Sequence, residues 1–135
     1  MKKIKFDKVW TINELSTLED QKFIEVLFGL LNKRPKIIIS HYNDNQLHID
    51  ILDFDKNVQY EIASECWYKS LEFFPDGKLS QEQVKMVIDG ENLMIADFVC
   101  KATNKNLSFQ KISSKILSNY SDKNKKYFHS LILKK

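Results

Sequence analysis

Apolar residues recur along this chain at two spacings, one of two residues and one close to a helical turn, and the changes between them predict its elements. Residues 1–10 alternate loosely, with Ile4, Phe6 and Val9 apolar between lysines, which reads as a short opening strand or an extended arm. Lysines suit an edge strand, because charge there discourages pairing with another molecule. Phe23, Val26, Leu27, Leu30 and Leu31 then repeat at helical spacing. Ser16 stands before Glu19 in the manner of a capping box and Asp20 falls in the first turn, so a helix is predicted from about 17 to 33. It stops before Pro35, whose ring disfavours helix at Arg34, and Lys33 and Arg34 suit its C-terminal end.

From Lys36 to Tyr68 the alternation shortens. Ile37, Ile38 and Ile39 form a β-branched run fit for a strand buried on both faces. Tyr42, Asn43, Asp44 and Asn45 supply turn chemistry, Leu47, Ile49 and Ile51 alternate with His48 and Asp50 as far as Phe54, and Asp55, Lys56 and Asn57 close a second turn. A third strand from Val58 puts Val58, Tyr60 and Ile62 inward and Gln59 and Glu61 outward. Slipping it by one residue would exchange the two faces, so the alternation specifies the pairing.

Beyond Ala63, the residues Trp67, Leu71 and Phe74 form one stripe of a short helix from about 64 to 74, ended by Pro75, Asp76 and Gly77, although the same residues can extend the strand to Trp67. Ser80 and Gln83 repeat the capping-box spacing, yet residues 84–88 read as a strand leading into Asp89-Gly90, and Leu93 to Val99 alternates after it. Asp-Gly is a strong hairpin signal, so a hairpin is predicted there. Leu107, Phe109, Ile112, Ile116 and Leu117 return to helical spacing, Asn119 to Lys126 is a polar break, and Tyr127, Phe128, Leu131 and Ile132 dock a final helix. Together these elements predict an α+β fold in a single domain, residues 1–135: an antiparallel sheet of about five strands with an N-terminal helix and C-terminal helices packed against it.

Composition agrees with a folded chain, since 43% hydrophobic and 12% aromatic residues exceed what a disordered segment carries. Net charge, +3, says little, but its distribution is uneven: residues 1–40 carry +3, residues 41–99 carry −8 and residues 100–135 carry +8. Cys66 and Cys100 lie in apolar runs and lack metal or redox-pair spacing, which reads as two buried thiols in a reducing compartment. MKKIKFDKVW contains no apolar leader segment, and no apolar run approaches the ~20 residues that span a bilayer, so a cytoplasmic protein without membrane contact is expected.

Few constellations carry chemistry. His41, His48 and Asp50 invite a metal reading, but three or four converging ligands are needed and His129 is the only other imidazole. The acid pairs Asp53 with Asp55 and Glu61 with Glu65 have the composition of hydrolytic carboxylates, which also need a cleft. No glycine-rich phosphate loop and no G-x-S-x-G occurs. No enzyme activity, metal or cofactor is therefore expected. Lys101, Lys105, Lys111, Lys115, Lys123, Lys125 and Lys126 could track a phosphate backbone with Tyr120, Tyr127 and Phe128 stacking bases, but that segment has no arginine and the acidic middle repels a polyanion.

The acidic middle is the strongest candidate. Asp44, Asp50, Asp53, Asp55, Glu61 and Glu65, with Glu72 beyond them, fall on strands and turns of one predicted sheet near Trp67 and Tyr68. Carboxylates that speed encounter and aromatics that supply affinity suit a basic protein partner; solubilising charge on an exposed sheet is the competing explanation. With no catalytic signature, residues 41–72 resemble small bacterial immunity proteins, the single-domain inhibitors that neutralise contact-dependent or polymorphic toxins. The resemblance implies a cytoplasmic inhibitor whose acidic surface blocks a cognate basic toxin, often a nuclease. The alternative is a nucleic-acid-associated or phage accessory protein using the C-terminal lysines.

Overall fold

The computed structural model describes residues 3–32, 42–43, 46–54, 56–74, 76 and 78–132, and internal packing divides the chain into two compact units, Met1–Phe54 and Asp55–Lys135. The first contains β1 (Lys3–Thr11), the short α1 (Ile12–Ser16), α2 (Asp20–Asn32), β2 (Tyr42–Asn43) and β3 (Gln46–Asp53). β1 and β3 run parallel, from Lys3 opposite Gln46 to Thr11 opposite Asp53, with a register shift between Phe6 and Lys8. The two-residue β2 pairs antiparallel with β3, giving the order β1-β3-β2. Parallel neighbours cannot be joined by a tight turn, and α1 and α2 lie in the connection between them.

Thr11 ends β1 and caps α1 at once. Its hydroxyl oxygen accepts from the Glu14 backbone N–H at 3.1 Å, while the Glu14 carboxylate accepts from the Thr11 N–H at 3.3 Å. The Lys8 ammonium also pairs with that carboxylate, and Lys8 first and the Thr11 N–H second hold the Glu14 carboxyl below its ordinary pKa. The capping box thus sits at Thr11 and Glu14, not at Ser16 and Glu19. α2 begins at Asp20 and buries Phe23, Leu27, Leu30 and Leu31, four of the five residues of the expected stripe, with Val26 half-buried and Leu15 from α1 and Phe54 also buried.

The second unit is four helices: α3 (Lys56–Phe73), α4 (Gln81–Ala102), α5 (Asn106–Leu117) and α6 (Asp122–Ile132). α4 packs against each of the other three, which is why Met86, Leu93, Ile95, Ala96, Val99 and Cys100 are all buried along it. Ser80 caps its start: the Ser80 hydroxyl accepts from the Gln83 N–H at 3.1 Å and the Gln83 side chain accepts from the Ser80 N–H at 2.9 Å. Its end is a left-handed turn at Asn104 (φ 60°), with the Lys105 N–H bonded to the Cys100 carbonyl at 2.8 Å and the Asn104 N–H to that of Lys101 at 3.3 Å. That is the Schellman pattern, with asparagine in the place glycine usually fills.

The antiparallel sheet of about five strands is therefore corrected to a mostly helical chain with a small mixed sheet. The third strand expected from Val58 is the first half of α3, and the hairpin expected at Asp89-Gly90 is the middle of α4. Gly90 serves packing and not a turn: a Cβ there would stand 2.8 Å from Leu131 Cδ1 and 3.2 Å from the Tyr127 ring, so a side chain would displace the end of Leu131 and crowd the ring where α6 crosses α4. Asp89 accepts a hydrogen bond from the Tyr120 hydroxyl, which ties α4 to the break before α6. The strand expected at Ile37, Ile38 and Ile39, the helix stop before Pro35, and Asn45, Pro75 and Gly77 of the expected turns lie outside the described residues.

The two helical glycines separate these effects. Gly90→Val should cost about 2 kcal/mol or more in denaturant unfolding, because overpacking exceeds the gain in helix propensity. Gly29→Ala, in α2 with nothing within 4 Å of the new methyl, should stabilise by about 0.5–1 kcal/mol. At the start of α1, Glu14 should titrate below an ordinary exposed glutamate by NMR, its cap bonds being lost as pH falls through that lowered pKa, and Lys8→Met should move it upward.

Candidate protein-interaction surface

α3 is amphipathic in an inverted sense. Its buried positions are Ile62, Cys66 and Ser70, spaced four apart, and two of the three are small. Small side chains let α3 sit close to its neighbours: the Tyr127 hydroxyl donates to the Cys66 carbonyl at 3.1 Å, and the Tyr127 ring meets Phe73 edge-on at a centroid distance of 5.8 Å. The large apolar side chains point the other way. Tyr60 is 75% exposed, Tyr68 67% and Trp67 48%, and Leu71 is exposed beside them. Helical spacing places Tyr60, Ser64, Trp67 and Leu71 in one stripe and Glu61, Glu65, Tyr68 and Glu72 in the stripe beside it.

Electrostatically the second stripe is acidic. Among the described residues neither Glu61 nor Glu65 forms an ion pair, while Glu72 meets the Lys69 ammonium at 3.2 Å. An exposed pair at that spacing contributes little to stability and exchanges readily with a partner's cation. Large apolar groups exposed together and bordered by charge are the anatomy of a binding surface.

The eight residues singled out for a partner divide among three places. Glu61, Glu65, Trp67 and Tyr68 share α3, where a helix and not a sheet brings them together. Asp50 and Asp53 belong to β3, in register with Lys8 and Thr11 of β1. Asp44 and Asp55 lie outside the described residues. Tyr60, read from the sequence as inward, is the most exposed of the set, and Leu71, read as part of a packing stripe, is exposed as well. The spacing of residues 60, 64, 67 and 71 was the signal for both, but it surfaces only once the segment is known to be helical.

Cys66 and Cys100 are free and buried. Burial first, and then Glu91 and Glu65, push the Cys66 thiol up to about 12; burial and then Asp97 do the same for Cys100. Neither thiol is ionised near neutrality, as a nucleophile or metal ligand must be. Among the described residues no group of three or more His, Cys, Asp and Glu side chains could hold a metal; His41 is outside them, and His129 is exposed on α6. Tyr120, Tyr127 and Phe128 pack together in the core, with ring centroids 4.8 Å apart for Tyr120 and Phe128, so they cannot stack on bases. Among the described residues no helix is long and apolar enough to cross a membrane. No protein-family model matches the chain, and neither a curated protein nor a solved structure matches it.

Because the α3 aromatics lie outside the core, Tyr60→Ser and Tyr68→Ser should each change unfolding free energy by no more than about 0.5 kcal/mol. The buried thiols should resist a thiol-specific disulfide reagent at pH 8, where roughly one in ten thousand is ionised, and both should react once the chain is denatured.

Proposed function

We propose that this chain is a non-catalytic protein-binding inhibitor that receives a basic protein partner on the outward face of α3, and that it is an immunity protein whose partner is a cognate toxin. The observation that carries the reading is the inversion of α3, with Cys66 and Ser70 turned inward and Tyr60, Trp67, Tyr68 and Leu71 outward. Folding alone would gain from the opposite arrangement, since burying a large apolar side chain stabilises by about 1.5–3 kcal/mol. Glu61, Glu65 and Glu72 supply the long-range attraction that speeds encounter with a cationic surface, and the aromatics supply short-range affinity. Blocking a toxin requires only a tight complex, which suits a chain whose thiols are buried and protonated. In this reading the chain works in the cytoplasm, where a delivered toxin would act. The lysine-rich alternative keeps its charge but has lost its stacking rings to the core, so nothing favours it as a second reading.

The test is association with the toxin domain that this reading expects to be encoded beside the chain. Replacing Glu61, Glu65 and Glu72 together by lysine should slow association at least about tenfold at low salt. Trp67→Ala should cost about 2 kcal/mol of affinity. An unchanged on-rate would remove the site from α3, and failure of the co-expressed chain to protect cells from that domain would remove the immunity function.

A further inference from the structure

Resting on the binding face proposed above, we infer that the partner docks as an amphipathic α-helix laid along α3, with an apolar seam against Tyr60, Ser64, Trp67 and Leu71 and cations along one flank only. The stripe advances by four, three and four residues, the spacing of a heptad seam, and at 1.5 Å per residue it runs about 16 Å, or three turns. Ser64, between Tyr60 and Trp67, leaves a gap in which a side chain of an incoming helix can seat. An extended segment suits this face poorly. The backbone groups of α3 are bonded within the helix and cannot extend a sheet, and a strand lying on the stripe would bury its own amides unpaired. A helix arrives with its backbone already satisfied.

Charge sets the composition of that helix. Glu61, Glu65 and Glu72 all lie to one side of the apolar stripe, while the other side carries Lys56 at the start of α3 and then the uncharged Ala63 and Ser70. A partner helix with lysine or arginine on the matching flank is complementary. A second copy of this chain is a poorer match: antiparallel pairing of α3 with itself sets glutamate against glutamate, and parallel pairing offers one cation, Lys56 opposite Glu61, and none to Glu65 or Glu72.

Two synthetic peptides of identical composition test the inference, one with leucines spaced four, three and four and arginines on one flank, the other scrambled. Each is titrated into the isotope-labelled chain while the Trp67 indole and the α3 amides are followed by NMR. The patterned peptide should bind on α3 at least about tenfold more tightly than the scrambled one and gain helical circular dichroism on binding. Replacing Glu61 and Glu65 by glutamine should erase much of that difference. Equal binding of both peptides on α3 would overturn the helical partner while leaving a basic partner in place. If neither peptide perturbs α3, the binding face itself falls with the inference. Dimerisation of the chain in sedimentation, abolished by Trp67→Ala, would overturn it by making a second copy the occupant.

Discussion

The crossing of α6 over α4 at Gly90 is the contact that the helical unit depends on. With no Cβ at Gly90, Leu131 and Tyr127 approach the α4 backbone, and the Tyr127 hydroxyl reaches on to the Cys66 carbonyl of α3. One fully buried side chain thus touches three helices, filling the space over Gly90 with its ring and bonding α3 with its polar end. Burial pushes the Tyr127 phenol well above its ordinary pKa, so the hydroxyl stays protonated and remains a donor. Phe73, Phe74 and Phe128 then gather round the same ring.

That contact also explains why α3 can turn its large side chains outward. Space on its inner face is taken by Tyr127 and by α4, so Ile62, Cys66 and Ser70 suffice there, and Cys66 Sγ rests 3.5 Å from the Met94 sulfur. Tyr60, Trp67, Tyr68 and Leu71 are therefore left on a solvated face, the observation on which the proposed partner rests. Polarity follows the same division: the glutamates of α3 stand beside the exposed rings, whereas Lys111, Lys115, Lys123 and Lys126 are exposed on α5 and α6.

Much of the fold was legible where a single face is buried. α2, β3 and α6 lie close to where the periods of Phe23 to Leu31, Leu47 to Ile51 and Tyr127 to Leu131 placed them, although α6 begins at Asp122, within the expected polar break; α2 and α6 each bury one stripe of strongly apolar residues. The helix expected from about 64 to 74 is the second half of α3, but the first half of α3 and the whole of α4 were not legible, for opposite reasons. The inner stripe of α3 contains Cys66 and Ser70, too weakly apolar to mark a period, while exposed Tyr60 beside buried Ile62 imitates the alternation of a strand. α4 is buried against three neighbours, so its apolar residues show no clean period, and Asp89-Gly90 carries a turn signature that a packed helix overrides.

Alone, then, the sequence determined a folded chain with two buried thiols, an acidic middle and a basic end, and the aromatic and acidic residues of a candidate binding surface. Only tertiary structure decided that Glu61, Glu65, Trp67 and Tyr68 stand on a helix, that Tyr60 and Leu71 join them, and that Tyr120, Tyr127 and Phe128 belong to the core. The physical reason is that a residue's exposure depends on what packs against it. Gly90 and Tyr127 are thirty-seven positions apart in sequence, and their contact sets α6 against α4 while the Tyr127 hydroxyl bonds the inner side of α3 at Cys66.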